Sequence, residues 1–353
     1  LISMNVLEID KIELELSSDC NAACPGCART QLDGTYEVKN ITFKDVQRLF
    51  PSKEYIDGKQ FKICGVLGDP IVNSECLDIL TYLAENGGYC DVSTNGSYNT
   101  VDWWTRLAQV SHATNKIKVQ FCVDGHRETN HIYRVNTKFN VLERNMEAYS
   151  SANGTGTWIY IVFDHNEHEL EIAKSHAQRL GFKFKVRTGM RNSYHDWIAK
   201  IGKKNQKLET KITTTGDKEH TKVKQVDEIN KLIKENNEGK VDQQKNQELI
   251  KTINCKYIHQ KEIFISSTLE LWPCCFLFDS SKWNKHGINE KYADFGVGWN
   301  SLVDKNINEV LTNPYFDSIL IESWNPVHGK HLPRCLYTCG KNAAYHNEIK
   351  DYA

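Results

Sequence analysis

The chain has 353 residues, 40% of them hydrophobic and 25% charged, the composition of a globular protein with room for one large domain and a smaller one. Lysine and arginine number 44 against 45 aspartate and glutamate, a formal net charge of -1, so no whole-chain field draws it to nucleic acid. No apolar run approaches the roughly 18 residues of a membrane span, and the opening LISMNVLEIDK lacks a basic region followed by an apolar stretch, so neither a membrane segment nor a signal peptide is expected and the cytoplasm is the expected compartment.

KIELEL (11–16) alternates apolar and polar residues, with Ile12, Leu14 and Leu16 on one face, and predicts a strand. A cysteine-rich loop follows at once. FKICGV (61–66) predicts a second strand, followed by a helix near 74–86. YCDVST (89–94) predicts a third, ending at the turn Asn95-Gly96. Trp103 to Val110 reads as helix and KIKVQFCVD (116–124) as a strand ending at Gly125. Phe139 to Tyr149 is helical, TWIYIVFD (157–164) a strand, and 167–180 a helix that Gly181 stops. FKFKVRT (182–188) is the next strand. Strands alternating with helices predict an α/β fold with a parallel sheet or barrel, whose chemistry sits in the loops after the strands. The cysteine loop, Gly68-Asp69-Pro70, Asn95-Gly96 and Asp124-Gly125 all stand at such ends.

Residues 200–251 differ: they are rich in Lys, Asn, Gln and Glu and hold no Cys, Trp, Tyr or Phe. They predict a solvated linker or helical insertion. Aromatic residues and cysteines return near Thr252, where a second unit begins.

Twelve cysteines are not expected to form disulfides in a reducing compartment, and the spacing of some points to metal. Cys64, Cys76, Cys90 and Cys122 are scattered and read as small buried residues. CNAACPGC gives Cys20-x3-Cys24-x2-Cys27. Three thiolates on one loop can wrap one face of an iron–sulfur cluster and leave one iron open, because a [4Fe–4S] cluster usually takes four. Structural zinc wants four ligands, and this loop offers three with no histidine close by.

CxxxCxxC directly after a first strand resembles the hallmark of the radical S-adenosylmethionine (SAM) superfamily. The resemblance implies a partial (βα)6 TIM-like barrel over 8–190, a [4Fe–4S] cluster on Cys20, Cys24 and Cys27, and SAM chelating the open iron. GVLGDP (65–70) resembles the family's Gly-Gly-Glu motif, with Gly68 and Asp69 toward the SAM amino group and Asp in place of the commoner Glu. STNG resembles the next strand end, which implies Ser93 and Asn95 as donors to SAM. FCVDG followed by HIYR resembles Ser-x-Asp-Gly and its arginine, implying Arg134 on the SAM carboxylate and Asp124 toward the substrate. Gly26 stands where the family commonly has an aromatic residue, and Cys122 where it often has serine.

Cys255, FISSTLELWPCCF and CLYTCG resemble the SPASM or twitch auxiliary-cluster domains, with Leu269 at the usual glycine of their hairpin. One second, auxiliary [4Fe–4S] cluster on Cys255, Cys274, Cys335 and Cys339 is implied, in a domain over 252–345, with Cys275 the alternative to Cys274. Residues 191–251 are then the polar insertion. The resemblance implies reductive SAM cleavage and hydrogen abstraction from a peptide or small polar substrate, in an oxidative modification, with a flavodoxin or ferredoxin as electron donor. A redox-neutral epimerase or mutase on the same scaffold, and a non-catalytic zinc-stabilised binding protein, are the competing expectations.

Overall fold

The computed structural model describes residues 4–32, 34–163, 165–187, 243–327 and 331–340, together with 231, 234, 235, 238 and a strand at 349–352. The expected insertion over 191–251 lies outside the described residues, apart from those few positions and the helix Gln243–Ile250. The chain divides into two compact units, one taking in Leu14–Thr214 and Glu348–Ala353, the other Leu1–Glu13 and Thr215–Asn347.

In the first unit the strands β2 (Gln60–Ile63), β3 (Tyr89–Thr94), β4 (Ile117–Cys122), β5 (Gly156–Ile161) and β6 (Lys183–Arg187) pair in parallel and in sequential order. Strand β1 (Lys11–Leu14) enters the unit at its last residue. Sequential order has no reversal point, so right-handed crossovers return every helix to the same face and the sheet curls as a partial barrel. This is the (βα)6 TIM-like arrangement expected from the sequence. An antiparallel strand β9 (Ile349–Tyr352), which the sequence did not signal, pairs with β6.

The helices of this unit are α1 (Ala28–Leu32), α2 (Phe43–Leu49), α3 (Cys76–Glu85), α4 (Val101–Thr114), α5 (Asn130–Tyr133), α6 (Phe139–Ser151) and α7 (Leu170–Arg179). Alternation along the strands buries Phe61, Ile63, Val92, Val119, Phe121, Trp158 and Phe184, while Asp91, Ser93, Gln120, Cys122 and Thr157 on the other face stay partly exposed. The helices bring matching apolar stripes, such as Trp104 and Leu107 on α4 and Leu142 and Met146 on α6. Trp104 meets the Phe121 ring at 5.3 Å and Tyr149 at 6.0 Å. Helix α4 is sharply bounded: Thr100 Oγ1 accepts from the Trp103 N–H, and Asn115 ends it with φ +52°.

The second unit holds β8 (Leu271–Trp272), β7 (Glu262–Ile265) and most of β1, in that order. The hairpin of β7 and β8 turns through Leu269 at φ +59°, the position where a glycine was expected. Its N–H donates to Ser266 O (2.9 Å) and its carbonyl accepts from the Leu302 N–H (2.7 Å), so the hydrogen bonds close the turn despite the side chain.

The alternation in KIELEL puts Glu13 and Glu15 on the polar face, yet both are buried, 3% and 0% exposed. Each has a buried partner. Glu13 Oε2 lies 3.5 Å from the Lys256 ammonium within the second unit, and Glu15 Oε1 accepts from the Leu67 N–H (2.8 Å) within the first.

Candidate active site

The cysteine loop follows β1 and runs into α1. The Cys27 N–H donates to Cys24 O (3.1 Å), a turn that folds the second and third cysteines back together, and the Ala23 N–H is tied to Val135 O (2.9 Å). Cys24 is buried among Ala22, Tyr133, Ile161 and Phe163, and Cys20 and Cys27 pack against this group. The structure thus gathers the three thiols in one cup with an apolar wall. Burial pushes the Cys20 thiol up to about 12, the Asp69 carboxyl beside it adding to the rise. Burial raises Cys24 as well, against the pull of Arg134. Alone, such thiols keep their protons; only a metal centre would hold them as thiolates.

Donors are aimed at the sulfurs. The Ala22 N–H reaches Cys20 Sγ at 3.4 Å and Asn95 Nδ2 reaches it at 3.6 Å, while Arg134 Nη1 lies 3.8 Å from Cys24 Sγ. Arg29, two residues after Cys27, donates through Nη2 to Ala22 O and sets its positive charge beside Cys20 and Cys27. Motif spacing did not reveal Arg29; its closeness to the last cysteine was the one available signal.

The GVLGDP segment is pressed onto this loop. A Cβ on Gly68 would stand 2.0 Å from Ser17 O and 2.6 Å from Asp19 O, so only glycine lets the two backbones meet. The Asp69 N–H then donates to Asp19 O (2.8 Å). Asp69 Oδ2 accepts from both the backbone N–H (2.7 Å) and Nδ2 (2.8 Å) of Asn95. Burial raises the Asp69 carboxyl above its ordinary range in spite of these donors. Asn95 Nδ2 also reaches Asn21 Oδ1 (2.9 Å), and Asn21 Nδ2 reaches Ser97 Oγ (2.9 Å). Asp69 and Asn95 are therefore brought together at the cysteine loop. Ser93, next to the last residue of β3, is half-buried and in register with Gln120, and it takes part in none of these hydrogen bonds.

Asp124 and Arg134 also meet: Arg134 Nε donates to Asp124 Oδ2 at 2.7 Å. Asp124 is fully buried, and its Oδ1 accepts from the Ile161 N–H (2.7 Å). Its carboxylate is engaged inside the fold, holding Arg134 toward Cys24. Burial works against the arginine charge, but the Asp124 carboxylate keeps it firmly protonated.

The second group of cysteines lies in the second unit. Cys335 and Cys339 are one turn apart on the helix Pro333–Cys339 and share a face. With Cys255 and Cys274 they line one cavity, closed by Ile253, Leu277, Leu320 and Phe276 and bearing Lys256 and Arg334. Cys275 is not among the residues lining it: Cys274 is the extended residue before the helix Cys275–Lys282, so its neighbour turns elsewhere. Burial pushes Cys274 up to about 12 and Cys339 up to about 11, and raises Cys255 and Cys335. Lys256 is buried and bonded to Glu262.

No family model matches the sequence, and no curated protein matches it. Solved structures do. Streptococcus suis SuiB bound to its precursor peptide SuiA aligns with a TM-score of 0.54 at 12% identity, over 88% of this chain and 66% of that one. SuiB bound to S-adenosylmethionine aligns with a TM-score of 0.50 at 12% identity, over 76% of this chain and 61% of that one. The chain thus spans less than two thirds of the length of SuiB. At this identity the likeness shows the fold alone, an α/β fold with a parallel sheet like that of SuiB. Among the described residues, no helix is long and apolar enough to cross a membrane.

Proposed function

We propose that the chain is a radical SAM enzyme. It cleaves SAM reductively and takes a hydrogen atom from a peptide or small polar substrate, in an oxidative modification that a second cluster assists. One observation carries this reading: three thiols of one loop share a cup in which donors and cations are aimed at the sulfurs, on a fold shared with a SAM-binding protein.

The residues fit a [4Fe–4S] cluster at Cys20, Cys24 and Cys27. Anionic sulfur needs donors and positive charge, and Asn95, the Ala22 N–H, Arg29 and Arg134 supply both. When bound and reduced by an external one-electron donor, the cluster would supply an electron to the sulfonium of SAM, whose C–S bond would break to give methionine and a 5′-deoxyadenosyl radical able to take a hydrogen atom from substrate. Gly68 and Asp69 hold the loop in place, Asn95 bridges Asp69 to Cys20, and Asp124 orients Arg134. Tyr133, Ile161 and Phe163 keep water from the Cys24 sulfur. In the second unit, Cys255, Cys274, Cys335 and Cys339 fit a fully ligated cluster beside the charges of Lys256 and Arg334. Four ligands leave no open iron and suit electron transfer from a substrate radical.

The SuiA complex of SuiB supports a peptide as the first substrate to try. The test is electron paramagnetic resonance on the anaerobically assembled, reduced protein with and without SAM. The reading expects a reduced-cluster signal that SAM shifts, and Cys24→Ala removes the SAM-sensitive part. A colourless, zinc-loaded protein after the same assembly sinks it.

A further inference from the structure

Helices α6 and α7 carry a cluster that this chemistry does not use. Glu143 and Glu147 stand one turn apart on α6, and His176 stands on α7; one ligand atom from each lies within 4.8 Å of the others. His176 is only 2% exposed. Its Nδ1 is 3.1 Å from His126 Nε2, while its own Nε2 has no hydrogen-bond partner and lies 3.9 Å from Glu143 Oε1. When Nδ1 carries the proton and His126 accepts it, the free Nε2 lone pair is buried facing two carboxylates. Lone pair and anions repel unless a cation stands between them. Arg127 Nη2 holds both Glu143 oxygens at 2.6 Å, the outer partner that ligating carboxylates take.

We infer that His176 Nε2, Glu143 and Glu147 form a binding site for a divalent transition cation of the zinc type, with water completing the coordination. One imidazole and two carboxylates make a borderline N/O donor set suited to such an ion. Neutral imidazole is the form that ligates, and the contact of Nδ1 with His126 leaves Nε2 as the ligating atom. The ion bridges α6 to α7, and His126 fixes the ligating tautomer.

The test uses the full chain with its iron–sulfur clusters assembled, dialysed against micromolar zinc and then against metal-free buffer. Wild type retains one zinc more than Glu147→Ala and His176→Gln. Glu147 is exposed, so its removal leaves the core untouched. X-ray absorption at the zinc edge shows nitrogen and oxygen neighbours at about 2.0–2.2 Å. Equal zinc in wild type and Glu147→Ala, or sulfur neighbours at about 2.3 Å marking a cysteine site, overturns the inference.

Discussion

A carboxylate with no solvent contact is tolerated only with a full set of donors, and Asp124 has the Ile161 N–H and Arg134 Nε. Asp124→Ala leaves Arg134 charged, largely buried and unpaired. Breaking such a pair costs about 3–5 kcal/mol, and the urea midpoint falls accordingly; a change under about 1 kcal/mol, the range of an exposed ion pair, contradicts the placement. Gly68 is the second sensitive position. Gly68→Ala drives a Cβ into the Ser17 carbonyl, so the loop must shift away from Asp69. We expect a lower thermal midpoint and weaker SAM binding by calorimetry, whereas unchanged binding argues against the clamp. Gly68 was legible in the sequence as a site of close approach, but the partner is the chain's own cysteine loop. Asn21 and Glu15 were not legible, because their roles depend on segments far apart in sequence arriving at one point, and Arg29, whose partners lie in its own loop, carries no motif.

At the scale of elements, the main strands and helices from β2 to β6 were legible, since apolar period 2 and period 3.6 differ clearly in segments such as YCDVST and Phe139 to Tyr149, whereas the short helices α1, α2 and α5 were not. The polar face of β1 was not. Glu13 and Glu15 fit a half-exposed strand by pattern, and only the buried Lys256 and the Leu67 N–H explain their burial. The β7–β8 hairpin shows how hydrogen bonds can override local preference. Leu269 holds φ +59°, which for a non-glycine residue costs roughly 1–2 kcal/mol. Leu269→Gly removes that strain while adding about 0.5–1 kcal/mol of unfolded-state entropy. Its half-exposed side chain gives up little packing. The variant is expected to keep or slightly raise the thermal midpoint; a fall of many degrees shows instead that the leucine side chain holds the hairpin.

On the scale of the molecule, each compact unit carries its own set of thiols: Cys20, Cys24 and Cys27 in one, Cys255, Cys274, Cys335 and Cys339 in the other. The two sets are therefore expected to load separately. Anaerobic assembly is expected to give about eight irons per chain, and Cys335→Ser about four, with the SAM-sensitive resonance signal kept. Loss of both clusters on that single change contradicts separate loading. The most direct measurement is the yield of 5′-deoxyadenosine from SAM under a strong reductant, wild type beside Cys24→Ala. The account predicts steady formation by the wild-type protein and none above background from the variant. Equal yields from the two, or none from an iron-loaded wild type, contradict it.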